Sequence, residues 1–151
     1  MTTIILTIIG ILLAAAAALM VIFYGGDAFN AGSVGARANT LQNAGTNVIS
    51  AVQLYKADGK DVADVNTLTM LSSTTDEASD YLKEFPSLAA VNPSDTTPSV
   101  ATISAGDLSV SNVPTDVCAR VNRNLGLTTA PTTNDGTLKM GCAAGVFFAN
   151  A

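Results

Sequence analysis

Histidine and tryptophan are both missing from this 151-residue chain, and aromatic residues make up only 5% of it. Without histidine, the commonest general base and metal ligand of protein sites is gone. Cysteine occurs only as Cys118 and Cys142, too few for a four-ligand zinc site. No serine sits in a nucleophile motif: Gly32-Ser33-Val34-Gly35 lacks the spacing. Asp58, Asp61 and Asp64 are three apart, whereas a calcium loop places its ligands at alternating positions, so a solvated acidic loop is expected. Positive charge is scarce as well. Seven Lys and Arg against twelve Asp and Glu leave a net charge of −5. With no basic patch to neutralise phosphate, nucleic acid is not an expected partner. Together these gaps point away from an enzyme and predict neither cofactor nor metal.

Charge is absent altogether from residues 1–26, MTTIILTIIGILLAAAAALMVIFYGG. The first charged residue is Asp27, and no Lys or Arg precedes Arg37. Residues 4–24 form an apolar run broken only by Thr7 and Gly10. As a helix rising 1.5 Å per residue, that run spans roughly 30 Å, the hydrocarbon thickness of a bilayer. A secretory signal peptide carries a basic flank and a shorter apolar stretch. Here the flank, and with it the positive-inside cue, is missing. Two accounts fit. A short basic leader was removed ahead of Met1, making Met1 the processed N-terminus, or Met1 is the translational start.

An anchor of this kind implies export, and in an exported chain an even cysteine count suggests a disulfide. A Cys118–Cys142 bond closes a ring of about 25 residues and stabilises by about 3.5 kcal/mol in the chain-entropy model. The alternative is two buried, reduced thiols.

The helical pattern continues past Gly25 and Gly26. Val34, Ala38, Leu41, Gly45, Val48, Val52 and Tyr55 alternate in steps of four and three, one face of a helix. Arg37, Asn39, Thr40, Asn43, Asn47, Ser50 and Gln53 occupy the other face. Lys56-Ala57-Asp58-Gly59 supplies a cation in the last turn and a glycine beyond it. The spacing predicts one helix of about 55 residues, roughly 80 Å long. Gly10, Gly25 and Gly26 are its weak points, because each glycine costs about 1 kcal/mol relative to alanine. In a filament the helix is expected to bend or lose hydrogen bonds there. Ala14 to Ala18 reads either as helix-forming filler or as a smooth surface for close helix packing.

Residues 58–98 read as a loop with short helices. Thr75-Asp76-Glu77 caps one that contains Ala78, Tyr81 and Leu82, and Pro86, Pro93 and Pro98 punctuate the rest. Val100–Ile103 and Leu108–Ser111 flank Ala105-Gly106-Asp107, a hairpin pattern. After Val113-Pro114, Thr115 is expected to cap a helix with Asp116 in its first turn. Its apolar face is Val117, Cys118, Val121 and Leu125, and Gly126 is its C-cap. Asn134-Asp135-Gly136 turns the chain into Thr137–Met140. Val146-Phe147-Phe148 suits a buried strand, with Cys142 just ahead of it. The fold expected is α+β. Residues 1–26 form an apolar helix, 27–57 its amphipathic half, and 58–151 a head whose small antiparallel sheet packs on Val34, Ala38, Leu41, Val48, Val52 and Tyr55.

These features resemble the type IV pilins, specifically the type IVb branch. The apolar helix running into an amphipathic half carries part of the resemblance, and the two cysteines bracketing a late region carry the rest. Cys142-Ala143-Ala144-Gly145-Val146-Phe147-Phe148-Ala149-Asn150-Ala151 resembles the closing strand of toxin-coregulated-type pilins. Asn112-Val113-Pro114-Thr115-Asp116-Val117-Cys118-Ala119-Arg120-Val121 resembles the segment leading to the first cysteine in major pilins of conjugative thin pili. The resemblance spans the chain, although the middle matches only in layout. It implies a major structural subunit that polymerises through Ile4, Ile5, Leu6, Ile8, Ile9, Ile11, Leu12, Leu13 and Leu19 into an extracellular pilus serving conjugation or adhesion. It also implies copies of itself as partners, an inner-membrane pool before assembly, the pilus assembly machinery and a prepilin peptidase. The alternative is a membrane-anchored minor pilin, pseudopilin or adhesin. One departure stands out. Most type IV pilins carry glutamate at the fifth mature position. Here, counting from Met1, Ile5 stands there, and thin-pilus pilins also tend to lack that glutamate. Register between subunits is therefore expected from packing shape or head contacts rather than from a buried ion pair.

Overall fold

The computed structural model describes residues 2–68, 71, 81–83, 85, 87–93 and 97–151. Met1, the expected cap Thr75-Asp76-Glu77 with Ala78, and Pro86 lie outside the described residues.

A single helix, α1, runs from Thr2 to Ala57. Proline is absent from this stretch, and Leu, Ile and Ala dominate its first half, all compatible with continuous i to i−4 bonding. The end is built as the sequence suggests. Gly59 adopts φ 77°. Its N–H donates to the Lys56 carbonyl at 3.0 Å, while the Asp58 N–H donates to Leu54 at 3.1 Å. Both bonds satisfy carbonyls that the helix leaves open. Gly10, Gly25 and Gly26 do not break α1 in the single chain. Glycine's cost of about 1 kcal/mol is small beside the bonding that flanks each site.

The chain divides into two compact units, Met1–Val34 and Gly35–Ala151. The boundary falls eight residues beyond Asp27, so most of the amphipathic half of α1 belongs to the head. The described part of the first unit is helix alone.

In the second unit a four-stranded antiparallel sheet packs on the later part of α1. β1 (Val100–Ser104) and β2 (Asp107–Ser111) form a hairpin in register Ser104↔Asp107 to Val100↔Ser111. Ala105 and Gly106 turn it with φ 49° and 82°, the two positive values of a type I′ turn. Gly106 is needed for a second reason. A Cβ there would lie 2.4 Å from Val62 Cγ1 and 2.9 Å from Val52 Cγ1, so the hairpin tip sits directly on the end of α1 and on a short 3₁₀ turn, Val62–Asp64.

Helix α2 covers Thr115–Asn124. Thr115 is its first residue rather than its cap. Pro114 holds the cap position with no side-chain bond, and the Asp116 carboxylate accepts from the Val117 N–H at 2.8 Å. Val117, Cys118, Val121 and Asn122 are buried, whereas Leu125 sits half-exposed at the C-cap.

β3 (Met140–Ala143) and β4 (Val146–Ala149) close the sheet, joined by Ala144 and Gly145 at φ 48° and 79°. Cys142 lies just ahead of β4, as the sequence suggests, and is itself inside strand β3, opposite Phe147. The strand order is β1-β2-β4-β3, with β4 between β2 and β3.

Ala38, Leu41, Ala44, Val48, Ala51 and Val52 of α1 are buried together with Leu108, Val110, Phe147 and Ala149 of the sheet. Val34 is buried too. The helix comes closest at Gly45, where a Cβ would stand 2.9 Å from both Met140 Cε and Phe147 Cζ. Tyr55 departs from the expected packing. It is half-buried at the end of the stripe and meets Tyr81 edge-on at 5.6 Å, with Lys60 Nζ over both rings at 5.2 and 5.3 Å. One cation thus serves two ring faces at the end of the stripe. Cys118 of α2 and Cys142 of β3 form the disulfide, with Cα atoms 5.2 Å apart and a sequence separation of 24.

Candidate functional site

The first unit carries the largest apolar surface. Ile4, Ile5, Leu6, Ile8, Ile9, Ile11, Leu12, Leu13 and Leu19 are all exposed, Leu12 by 63%. At 100° per residue these positions go round the whole helix, so no face is reserved for a single partner. α1 is long and apolar enough to cross a membrane, and none of its most apolar window is buried. Backbone groups within it are bonded along the helix. The hydroxyl of Thr7 donates to the Thr3 carbonyl at 2.8 Å. Lipid therefore meets no free hydroxyl at Thr7. The same surface continues through Met20, Val21, Ile22, Phe23, Tyr24 and Phe29, all exposed. These six lie beyond Leu19, where the expected polymerisation core ends. The signal for the next five was the same apolar run. Phe29 was hidden because it lies beyond the charge at Asp27.

Glycines interrupt this surface without filling any contact. A Cβ at Gly10, Gly25, Gly26 or Gly32 would meet nothing within 4 Å. No acid occupies the first turn of α1, and Ile5 is exposed like its neighbours.

Elsewhere several polar groups are committed to structure. Asp61 accepts from the Ala63 N–H at 3.0 Å as the cap of the 3₁₀ turn. Asp58 accepts from the Tyr81 hydroxyl, which holds that phenol's pKa above its ordinary value; burial and the Asp58 charge act in the same direction. Asp135 accepts from both the hydroxyl and the N–H of Thr137, which lowers its pKa. Asn122 faces the disulfide. Its Nδ2 donates to the Cys142 carbonyl and its Oδ1 accepts from the Cys142 N–H, each at 2.9 Å. Neither this pairing nor the strand it serves is evident from sequence, because asparagine on a helix face reads as surface.

Among the described residues no three His, Cys, Asp or Glu side chains come together as a metal site. No family model matches the chain, and no curated protein or solved structure matches it either.

Proposed function

We propose that this chain is a major pilin, a structural subunit that polymerises through its N-terminal helix into an extracellular filament of the type IV class. The observation that carries this reading is the all-round apolar surface of residues 4–24, joined without a helix break to a disulfide-stapled head. Water cannot be the final environment of that surface. Each Leu or Ile removed from water contributes about 1.5–3 kcal/mol, as an upper bound. Lipid of the bacterial inner membrane covers the helix before assembly, and copies of the same helix cover it in the fibre. Heads on the outside and helices at the axis make a heterologous contact that repeats without closing. The net gain over lipid is smaller than the transfer figure, so assembly machinery supplies work. A prepilin peptidase acts on the precursor. The role is structural rather than catalytic, and the fibre serves conjugation or adhesion.

Electron microscopy of material sheared from expressing cells is expected to show long fibres made chiefly of this chain. Leu12→Asp and Ile5→Lys are expected to abolish them, because an unpaired charge in an apolar axis is costly. Ile5→Glu is expected to bring no improvement. Normal fibres from Leu12→Asp would mean that the segment is not the polymer core, and that the chain is an anchored monomer of the minor pilin, pseudopilin or adhesin kind.

A further inference from the structure

We propose that Arg120 of one copy binds Asp27 of a neighbouring copy, and that this ion pair sets the axial stagger between subunits; the inference rests on the filament reading. Arg120 lies on α2, with its guanidinium against α1 at Gly35, where a Cβ would be 3.7 Å from Nη2 and 4.0 Å from Nε. Its Nε is buried and has no hydrogen-bond partner. A desolvated guanidinium nitrogen without an acceptor is unfavourable, and the side chain's planar fork suits a carboxylate. Arg120 as a whole is half-exposed, and at Gly35 the flank of α1 beside it carries no side chain.

The occupant follows from charge. In the polymer, a neighbour's α1 runs parallel to this one, because every copy directs its apolar half to the axis. Along all 56 residues of α1, Asp27 is the only acid, and it is exposed. It stands at the end of the apolar segment, the first charge in the chain. Asp27 and Gly35 are eight residues apart, about 12 Å along a helix. Sliding one copy past another by that distance brings the carboxylate to the level of the guanidinium. The pair forms at the rim of the apolar core, where it fixes register while adding no charge to the axis. Attraction between oppositely charged groups at such a contact specifies position more than it adds affinity.

The test uses the full chain in cells. Asp27→Arg and Arg120→Asp are each expected to lower sheared-fibre yield about ten-fold or more, since each juxtaposes like charges. The double variant Asp27→Arg/Arg120→Asp is expected to recover fibres. A double variant no better than either single overturns the inference. So does normal yield from Asp27→Arg, a change on an exposed helix position that carries no folding liability. In both cases wild-type fibres still uphold the filament reading; absence of wild-type fibres sinks both. A reconstruction of the wild-type fibre decides without any variant. Asp27 in ion-pair contact with a neighbour's Arg120 supports the inference, and a separation beyond about 8 Å, one Debye length, overturns it.

Discussion

Asn122 uses both ends of its amide on the backbone of Cys142, inside a layer that is otherwise apolar. Replacing it with leucine keeps the volume but leaves a strand N–H and C=O without partners, at a cost of about 1–3 kcal/mol. Urea unfolding of the detergent-solubilised Asn122→Leu chain is expected to show that loss, with the disulfide intact. Tyr81 gives a second test. Its hydrogen bond to Asp58 raises the phenol pKa, so the neutral form is favoured in the folded chain. The stabilisation is present below the ordinary tyrosine pKa and disappears as pH rises through the elevated value. Ultraviolet titration, taken as the difference from Tyr81→Phe, is expected to place Tyr81 above the usual range, and Asp58→Asn to bring it back. The residues legible from sequence were those whose type already restricts them: the two cysteines, the glycine of the β1–β2 turn, the apolar stripe. Asn122 and Tyr81 act through partners distant in sequence, Cys142 and Asp58, which no local pattern reveals.

At the level of elements, α1 and the first hairpin were readable because their periods are unambiguous over many residues. β3 was not. Met140-Gly141-Cys142-Ala143 has small residues where a strand usually has β-branched ones, and it reads as an extension of the preceding turn. The structure explains its survival. Gly141 faces Phe148 across the pair, and a Cβ there would lie 2.8 Å from the ring's Cζ. The aromatic ring covers the glycine that would otherwise weaken the strand. The disulfide then ties this edge strand to α2. Cys118→Ser is expected to lower head stability by a few kcal/mol and to reduce piliation. A thiol assay on unfolded, unreduced wild-type chain is expected to find no free thiol.

At the scale of the molecule, the division at Gly35 was not visible in the sequence, which turns polar already at Asp27. Burial, not polarity, marks the boundary: residues 27–32 are exposed, and the buried stripe begins at Val34. The apolar surface and the core thus belong to separate parts. A chain of residues 35–151 is expected to be soluble and monomeric, with the disulfide formed, in size-exclusion chromatography without detergent. Self-association of that fragment to the same degree as the whole chain would move the polymer contact from the helix to the head.

The position of β4 also bears on how the protein is made. β4 is the last of the four strands to be synthesised, yet it lies between β2 and β3 and pairs with both. At roughly 5–20 residues per second, the β1–β2 hairpin exists for seconds before its neighbour emerges from the ribosome. Until then β2 has an open edge, and the later turns of α1 lack Phe147 and Ala149 of β4. The head therefore cannot close early on the ribosome. Residues 4–24, long and apolar enough to cross a membrane, leave the ribosome well before the sheet can close. Cys142 lies in β3, whose neighbour in the sheet is β4, so the Cys118–Cys142 bond joins α2 to an edge that the last strand secures.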